Sequence, residues 1–128
     1  MSTPESNLAT DPRFIEGVAL FNAGRYFEAH EVWEHVWREC PPTERRFVQS
    51  LIHAAVALYQ WSRGNRLGAV TQVQRGQAKA AEYPPGHLGF DTRTLWADIG
   101  RRLDPRPHPD PPRISLTVSP HGRNDDDR

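Results

Sequence analysis

The sequence lacks the features that define several large classes of protein. Its single cysteine, Cys40, excludes an intrachain disulfide and fits a reducing compartment. The N-terminus lacks the basic and then apolar pattern of a signal peptide, and no apolar run approaches the roughly 20 residues that a membrane-spanning helix needs. Acidic and basic residues balance at 16 each, so no net charge attracts nucleic acid or an anionic membrane. We therefore expect a soluble, cytoplasmic protein with neither a membrane nor a nucleic-acid partner.

The chain is instead rich in signals that start and stop helices. Asp11-Pro12 reads as an N-cap followed by proline at the first helical position, and Gly24 supplies a left-handed stop. Pro41-Pro42 ends a later segment, because proline cannot donate a backbone hydrogen bond. Between such signals, apolar residues recur with helical periodicity. The pattern predicts five helices, over about 11–23, 25–39, 43–63, 65–82 and 91–103.

Two of the predicted turns resemble each other. Gly24 and Gly64 are each followed five residues on by an alanine, and each opens the second helix of a pair. Such short connections imply antiparallel neighbours, and the very broad apolar face of the third helix is typical of a central helix. We predict an all-α fold, a compact bundle of about five helices. It is built from two tetratricopeptide-like antiparallel hairpins plus a closing C-terminal helix.

Composition divides the chain into three parts. Residues 11–103 form the predicted single helical domain, and residues 1–10 form a flexible N-terminus. Residues 104–128 hold six prolines and an acidic end, a composition that cannot bury enough apolar area to offset its ordering entropy. We predict a disordered tail there, with residues 114–118 as an alternative strand or docking segment.

The second helix concentrates the chemistry of the chain, because residues 26–37 include two histidines, three glutamates and four large aromatics. At about 100° per residue, the aromatic and aliphatic side chains form one face that belongs to the core. His30 and Glu34 project together at its edge, with Glu31 slightly further round. These three are the candidate catalytic residues. Three other polar residues of this helix point to the opposite side and are predicted to face solvent: Glu28, His35 and Glu39.

The spacing does not match the zinc-protease motif, which needs two histidines four residues apart. Here His30-Glu31 is followed by Glu34 at i+4 and His35 at i+5. His30 and Glu34 could still place two ligands on a divalent ion. With His53 from the third helix, they are the candidate metal ligands.

The third helix carries a narrow polar stripe, Gln49, His53 and Gln60, on an otherwise apolar surface. Buried polar groups need partners, so Gln49 and His53 are candidate ligand-binding residues and candidate partners of the second helix. Three interpretations stay open: a structural hydrogen-bonded network at the rim of the core, a metal or small-ligand site, and direct acid–base catalysis. We favour the structural network.

Several motifs in order resemble those of one family, the domain-of-unknown-function family 309. They are Asn22-x-Gly24-x-Tyr26, Phe27-Glu28-Ala29-His30-Glu31-x-x-Glu34-x-x-Trp37, Gln49-x-Leu51-Ile52 and Gly64-Asn65-x-x-Gly68-Ala69. The resemblance covers roughly residues 14–103. It implies a compact helical bundle with His30, Glu31 and Glu34 as signature polar residues, and it implies no activity. Trp33 stands where the family leads us to expect leucine, and His53 where glutamine is more familiar.

Two functions follow as hypotheses. The first is a non-enzymatic module that binds a protein or small-molecule partner, with no cofactor. The alternative is a metal-dependent or acid–base hydrolase that uses His30, Glu31 and Glu34, with a divalent metal as its cofactor.

Overall fold

The computed structural model describes residues 8–103 and residue 114, and this part of the chain contains helices and no strand. Two short 3₁₀ turns, Pro42–Glu44 and His87–Gly89, precede the third and fifth helices. The five α-helices are α1 (Pro12–Asn22), α2 (Tyr26–Glu39), α3 (Arg45–Ser62), α4 (Arg66–Ala80) and α5 (Thr92–Arg102). The all-α prediction and its five helices are confirmed, with helix ends within about two residues of those expected. No described helix is long and apolar enough to cross a membrane.

Helix packing follows the predicted pairs. Helix α1 packs on α2, α3 lies between α2 and α4, and α5 contacts α3 and α4. The central position of α3 explains its broad apolar face. Its buried residues are Phe47, Val48, Ser50, Leu51, Ile52, Ala54, Ala55, Ala57 and Leu58.

The two hairpin turns have the same backbone hydrogen bonds. Gly24 (φ 81°) and Gly64 (φ 83°) are both left-handed, a conformation that glycine adopts without strain. In the first turn Arg25 N donates to Leu20 O at 2.9 Å, and in the second Asn65 N donates to Gln60 O at 2.9 Å. Each turn is therefore a Schellman-type helix end, which accounts for the similarity of the two sequences.

The core between α1 and α2 is organised around Trp33, which is fully buried. Its indole Nε1 donates a hydrogen bond to Phe14 O at 3.1 Å. The Trp33 ring lies 6.2 Å from that of Phe14 and 6.0 Å from that of Phe21, measured between centroids. A methyl group added to Gly17 would overlap the Trp33 indole, so the two helices approach as closely as they do because residue 17 has no side chain.

The described structure begins before the predicted start of the domain at residue 11. Leu8 is 4% exposed and lies in the core, within the segment 1–10 predicted as flexible. Ile114 is 6% exposed and also joins the core, within the segment 104–128 predicted as disordered. Apart from Ile114, residues 104–128 lie outside the described part of the chain, as do residues 1–7. The three-part division of the chain stays a prediction.

Gly17→Ala should destabilise the protein by about 1–3 kcal/mol, because the added methyl group pushes the Trp33 indole from its site. Gly100→Ala is the matched control. Gly100 lies in α5, and apart from its own helix backbone nothing lies within 4 Å of the place where its Cβ would be. Alanine there should raise the free energy of unfolding by about 0.5–1 kcal/mol. Urea unfolding of both variants measures the difference. Equal stabilities would contradict the close contact between α1 and α2.

Candidate functional site

One wall of the candidate site is the edge of α2. This helix buries Ala29, Trp33 and Val36. His30 and Glu34 therefore lie at the edge of the buried face, where the helix meets solvent. His30 Nε2 lies 3.4 Å from Glu34 Oε2, with side chains 26% and 36% exposed. The distance allows an ion pair and is longer than a good hydrogen bond. The predicted pairing of these two side chains on one edge is therefore present in the structure.

The floor of the site is the polar stripe of α3, and its centre is His53. His53 Nδ1 lies 2.7 Å from Gln72 Oε1, and Lys79 Nζ lies 3.0 Å from His53 Nε2. An ammonium can only donate, so Nε2 accepts from Lys79 and Nδ1–H donates to Gln72. Both ring nitrogens of a neutral imidazole are thereby satisfied.

The pKa of His53 reflects the same surroundings. Burial lowers it from its usual 6.5, since desolvation disfavours the charged ring. The hydrogen bond to Gln72 opposes this effect, while the positive charges of Lys79 and Arg75 lower the pKa further. Burial and the two cations thus favour the neutral ring, in which Nδ1–H donates to Gln72 and Nε2 accepts from Lys79.

Helices α2, α3 and α4 enclose one partly open pocket of about 240 Å³. Its lining residues are His30, Glu34, Trp37, Gln49, Ile52, His53, Val56 and Gln72. Four predicted residues thus meet at one place: His30, Glu34, Gln49 and His53. Glu31, the fifth, is exposed and does not line the pocket. The sequence analysis missed Gln72 and Lys79, because no spacing within α4 links them to His53.

Two nitrogen atoms on the pocket's lining residues have no hydrogen-bond partner among the described residues. They are His30 Nδ1 and Trp37 Nε1, and both are buried. An unsatisfied buried polar group costs about 1–3 kcal/mol. A ligand acceptor that reached the Trp37 indole N–H would remove part of that cost.

The α2 residues predicted to face solvent, Glu28, His35 and Glu39, are exposed. Glu28 Oε2 accepts from Arg25 Nη2 at 2.8 Å, and Glu39 Oε1 accepts from Arg13 Nη2 at 2.5 Å. Such surface ion pairs contribute little to stability. The polar residues of α2 therefore separate into a pocket edge and a solvated side, as the helical geometry predicts.

The candidate metal ligands His30, Glu34 and His53 share the pocket without forming a cluster. In the described part of the chain, no group of three or more His, Cys, Asp or Glu side chains is placed to hold a metal ion. Metal binding by His53 would also require Lys79 to leave its Nε2 atom. A metal at this pocket stays a prediction.

A second polar contact, which the sequence analysis missed, lies at the start of α3. His87 Nε2 lies 2.6 Å from Glu44 Oε1, and Glu44 is only 7% exposed. The His87 ring packs 4.7 Å from both Phe47 and Tyr83. The contact ties the loop between α4 and α5 to the start of α3. No local spacing links positions 44 and 87, so it was not visible in the sequence.

Comparisons with known proteins agree with this architecture. Residues 14–81 match the model of a family described as Domain of unknown function (DUF309). The chain is 35% identical to a protein of known crystal structure, a conserved hypothetical protein from Thermus thermophilus. The TM-score is 0.64, over 72% of this chain and 96% of that one.

Two curated relatives are longer proteins. Uncharacterized protein YpuF of Bacillus subtilis (strain 168) is 45% identical over 58 residues, which are 44% of this chain and 33% of that protein. An uncharacterized protein of Aquifex aeolicus (strain VF5) is 25% identical over 104 residues, 80% of this chain and 31% of that protein. The matches therefore span about a third of the length of each relative.

The free energy of unfolding should fall as the pH drops below about 6.5, the usual pKa of histidine. The lowered pKa of His53 means that the unfolded chain takes up a proton first, and stability is lost until the pH passes below the folded-state pKa. Above about pH 6.5 the ring is neutral in both states and this loss is absent. Urea unfolding across this range measures it.

His53→Gln keeps an uncharged donor and acceptor, so the variant should lose less stability on acidification than the wild-type protein. The same substitution at the exposed His35 is the control and should leave the contribution of His53 in place. A His53→Gln variant with an unchanged pH profile would contradict the assignment.

Proposed function

The chain belongs to the family described as Domain of unknown function (DUF309), and from that premise we propose that it is a non-enzymatic helical binding module. Its ligand is a small polar molecule held in the pocket between α2, α3 and α4. The observation that carries the proposal is the meeting of five polar side chains from three helices. They are His30, Glu34, Gln49, His53 and Gln72.

Hydrogen bonding within the pocket is incomplete, which supports a ligand over a purely structural network. The side-chain amide of Gln49 has no hydrogen-bond partner among the described residues, and the Glu34 carboxylate makes one long contact, to His30. A closed network would satisfy each of these groups internally. The carboxylate and the amide are therefore available to a bound molecule.

The chemistry of the walls indicates the kind of ligand. Glu34 on α2 can only accept hydrogen bonds when ionised, so it suits a donor or a positive group. On the α4 side, Gln72 lines the pocket and Lys79 donates to His53 from outside the lining, so this side suits an acceptor. We infer a ligand with a donor group at one end and an acceptor group at the other, such as a zwitterion or an amide.

The volume and the apolar lining of the pocket limit the size and shape of its ligand. Its volume of about 240 Å³ is below the roughly 300–1,000 Å³ of sites for drug-sized ligands. Trp37, Ile52 and Val56 supply the apolar part of the lining. A compact molecule with a short apolar body fits this combination.

Catalysis has less support from the same residues. The described lining residues include no serine, threonine or cysteine, so a covalent nucleophile there would have to be Glu34 or a histidine. His53, which is central, already uses both ring nitrogens on Gln72 and Lys79. A binding role needs none of these groups to change partners.

Glu34→Gln should abolish binding of small zwitterions and amides, because Glu34 is the one carboxylate among the described residues that line the pocket. Free amino acids and their amides, screened by thermal shift and then by calorimetric titration, are the probes. Glu31→Gln, three positions away and outside the pocket, is the matched control and should bind as the wild type does. Both variants should stay within about 1 kcal/mol of wild-type stability, since a partly exposed ion pair contributes little. The proposal fails if the two variants bind every probe equally, or if no probe binds the wild type.

A second candidate, an acid–base or metal-dependent hydrolase, is favoured by the 3.4 Å contact between His30 and Glu34. A histidine beside a carboxylate can move protons or hold part of a metal's coordination shell. Elemental analysis of the purified protein, with thermal shifts in Zn²⁺, Mn²⁺ and Mg²⁺, tests the metal version. A shift that disappears in His30→Ala would support it, and the absence of any bound metal or shift would remove it.

A further inference from the structure

The C-terminal end of α1 holds a residue from far along the chain. Ile114 N donates to Asn22 Oδ1 at 2.7 Å, and Asn22 Nδ2 donates to Ile114 O at 3.3 Å. The Ile114 side chain is 6% exposed and belongs to the same apolar core as Phe14 and Phe21. One side chain therefore engages the N–H and the C=O of one distant residue.

Neighbouring strands of a β-sheet pair through the same two groups, the N–H and the C=O of one residue. In an extended segment, the N–H and C=O of one residue point to the same side, and a neighbouring strand supplies the matching acceptor and donor. The primary amide of Asn22 offers both groups side by side. Backbone pairing of this kind accepts many sequences, so selectivity comes from the side chain that packs into the apolar core.

We propose that the end of α1 is a docking site for an extended peptide segment carrying a β-branched apolar residue. Its occupant is the segment of this chain that contains Ile114. The sequence of this segment supports the assignment, because residues 114–118 read Ile-Ser-Leu-Thr-Val, which alternates apolar and polar residues as a strand does. Prolines at 112 and 120 bracket the alternating stretch.

The docking site is separate from the pocket of the proposed function. Asn22 does not line that pocket, whose residues come from α2, α3 and α4. The contact also joins positions 92 residues apart in the sequence. Loss of the docked segment therefore tests this inference without disturbing His30 or Glu34.

Limited proteolysis of the full chain gives a direct test. Trypsin cleaves after arginine, and the Arg113–Ile114 bond contains the N–H that donates to Asn22. Cleavage there should be about tenfold or more slower in the wild type than in Asn22→Ala, because the docked segment must open first. Cleavage at Arg123–Asn124 is the reference, since its rate should be the same in both proteins. Alanine is a strong helix former, so α1 stays intact in that variant. A rate at Arg113–Ile114 that Asn22→Ala does not change would overturn the proposal.

Binding of the segment in trans tests the site itself. The probe is a labelled synthetic peptide of residues 110–119, added to the full chain with Ile114→Asp, which disables the chain's own segment. Fluorescence anisotropy should show saturable binding, weaker binding to the wild type, and none to the double variant Asn22→Ala, Ile114→Asp. A peptide carrying aspartate at the position of Ile114 is the matched control and should not bind. Equal binding to the single and double variants would overturn the role of Asn22.

The oligomeric state decides whether the occupant comes from the same chain. A monomer whose Arg113–Ile114 protection does not depend on concentration supports docking within one chain. Protection that appears only as a dimer forms would overturn that assignment, since the segment would then come from a second copy.

Discussion

The packing of Trp33 against Gly17 is the contact on which the arrangement of the site depends. The indole fills the space that a side chain at residue 17 would occupy, and its N–H donates to Phe14 O, so α2 has one allowed rotation about its own axis against α1. Because Trp33 faces α1, the edge of α2 that carries His30 and Glu34 faces the pocket between α2, α3 and α4. A helix rotated by one residue would bury the charged edge and expose the indole, at the cost of several kcal/mol.

A second glycine and tryptophan repeat this arrangement on the other side of α3. A methyl group on Gly76 would overlap the Trp96 ring and lie 2.9 Å from the Cβ of His53. Helix α4 therefore approaches both α3 and α5 closely at this position. Gln72 and Lys79 lie about one turn before and after Gly76, which is why both reach the two nitrogens of His53. The pocket exists because two close helix contacts hold its walls on either side of α3.

Histidine and glutamine can make the same pair of hydrogen bonds at position 53. The family resemblance leads us to expect glutamine there, and glutamine offers one donor and one acceptor group. The neutral imidazole does the same, with Nδ1–H toward Gln72 and Nε2 toward Lys79. Burial and the adjacent cations lower the pKa of the ring, which favours the uncharged form that these hydrogen bonds need. The pocket and the Asn22–Ile114 contact are built on different helices, so the two proposals that rest on them can be tested separately.

Much of the fold could be predicted from the sequence, because its determinants are local. Glycine and proline mark where helices end, and a spacing of four residues puts His30 and Glu34 on one edge whatever surrounds them. The exclusion of Glu31 from the pocket, the approach of Gln72 and Lys79 to His53, and the pairing of Asn22 with Ile114 were decided by tertiary structure alone. Each depends on how far apart two helices lie and how each is turned about its axis. Those quantities are set by the volumes of Gly17, Trp33, Gly76 and Trp96 packed together, which no periodicity within a single helix records.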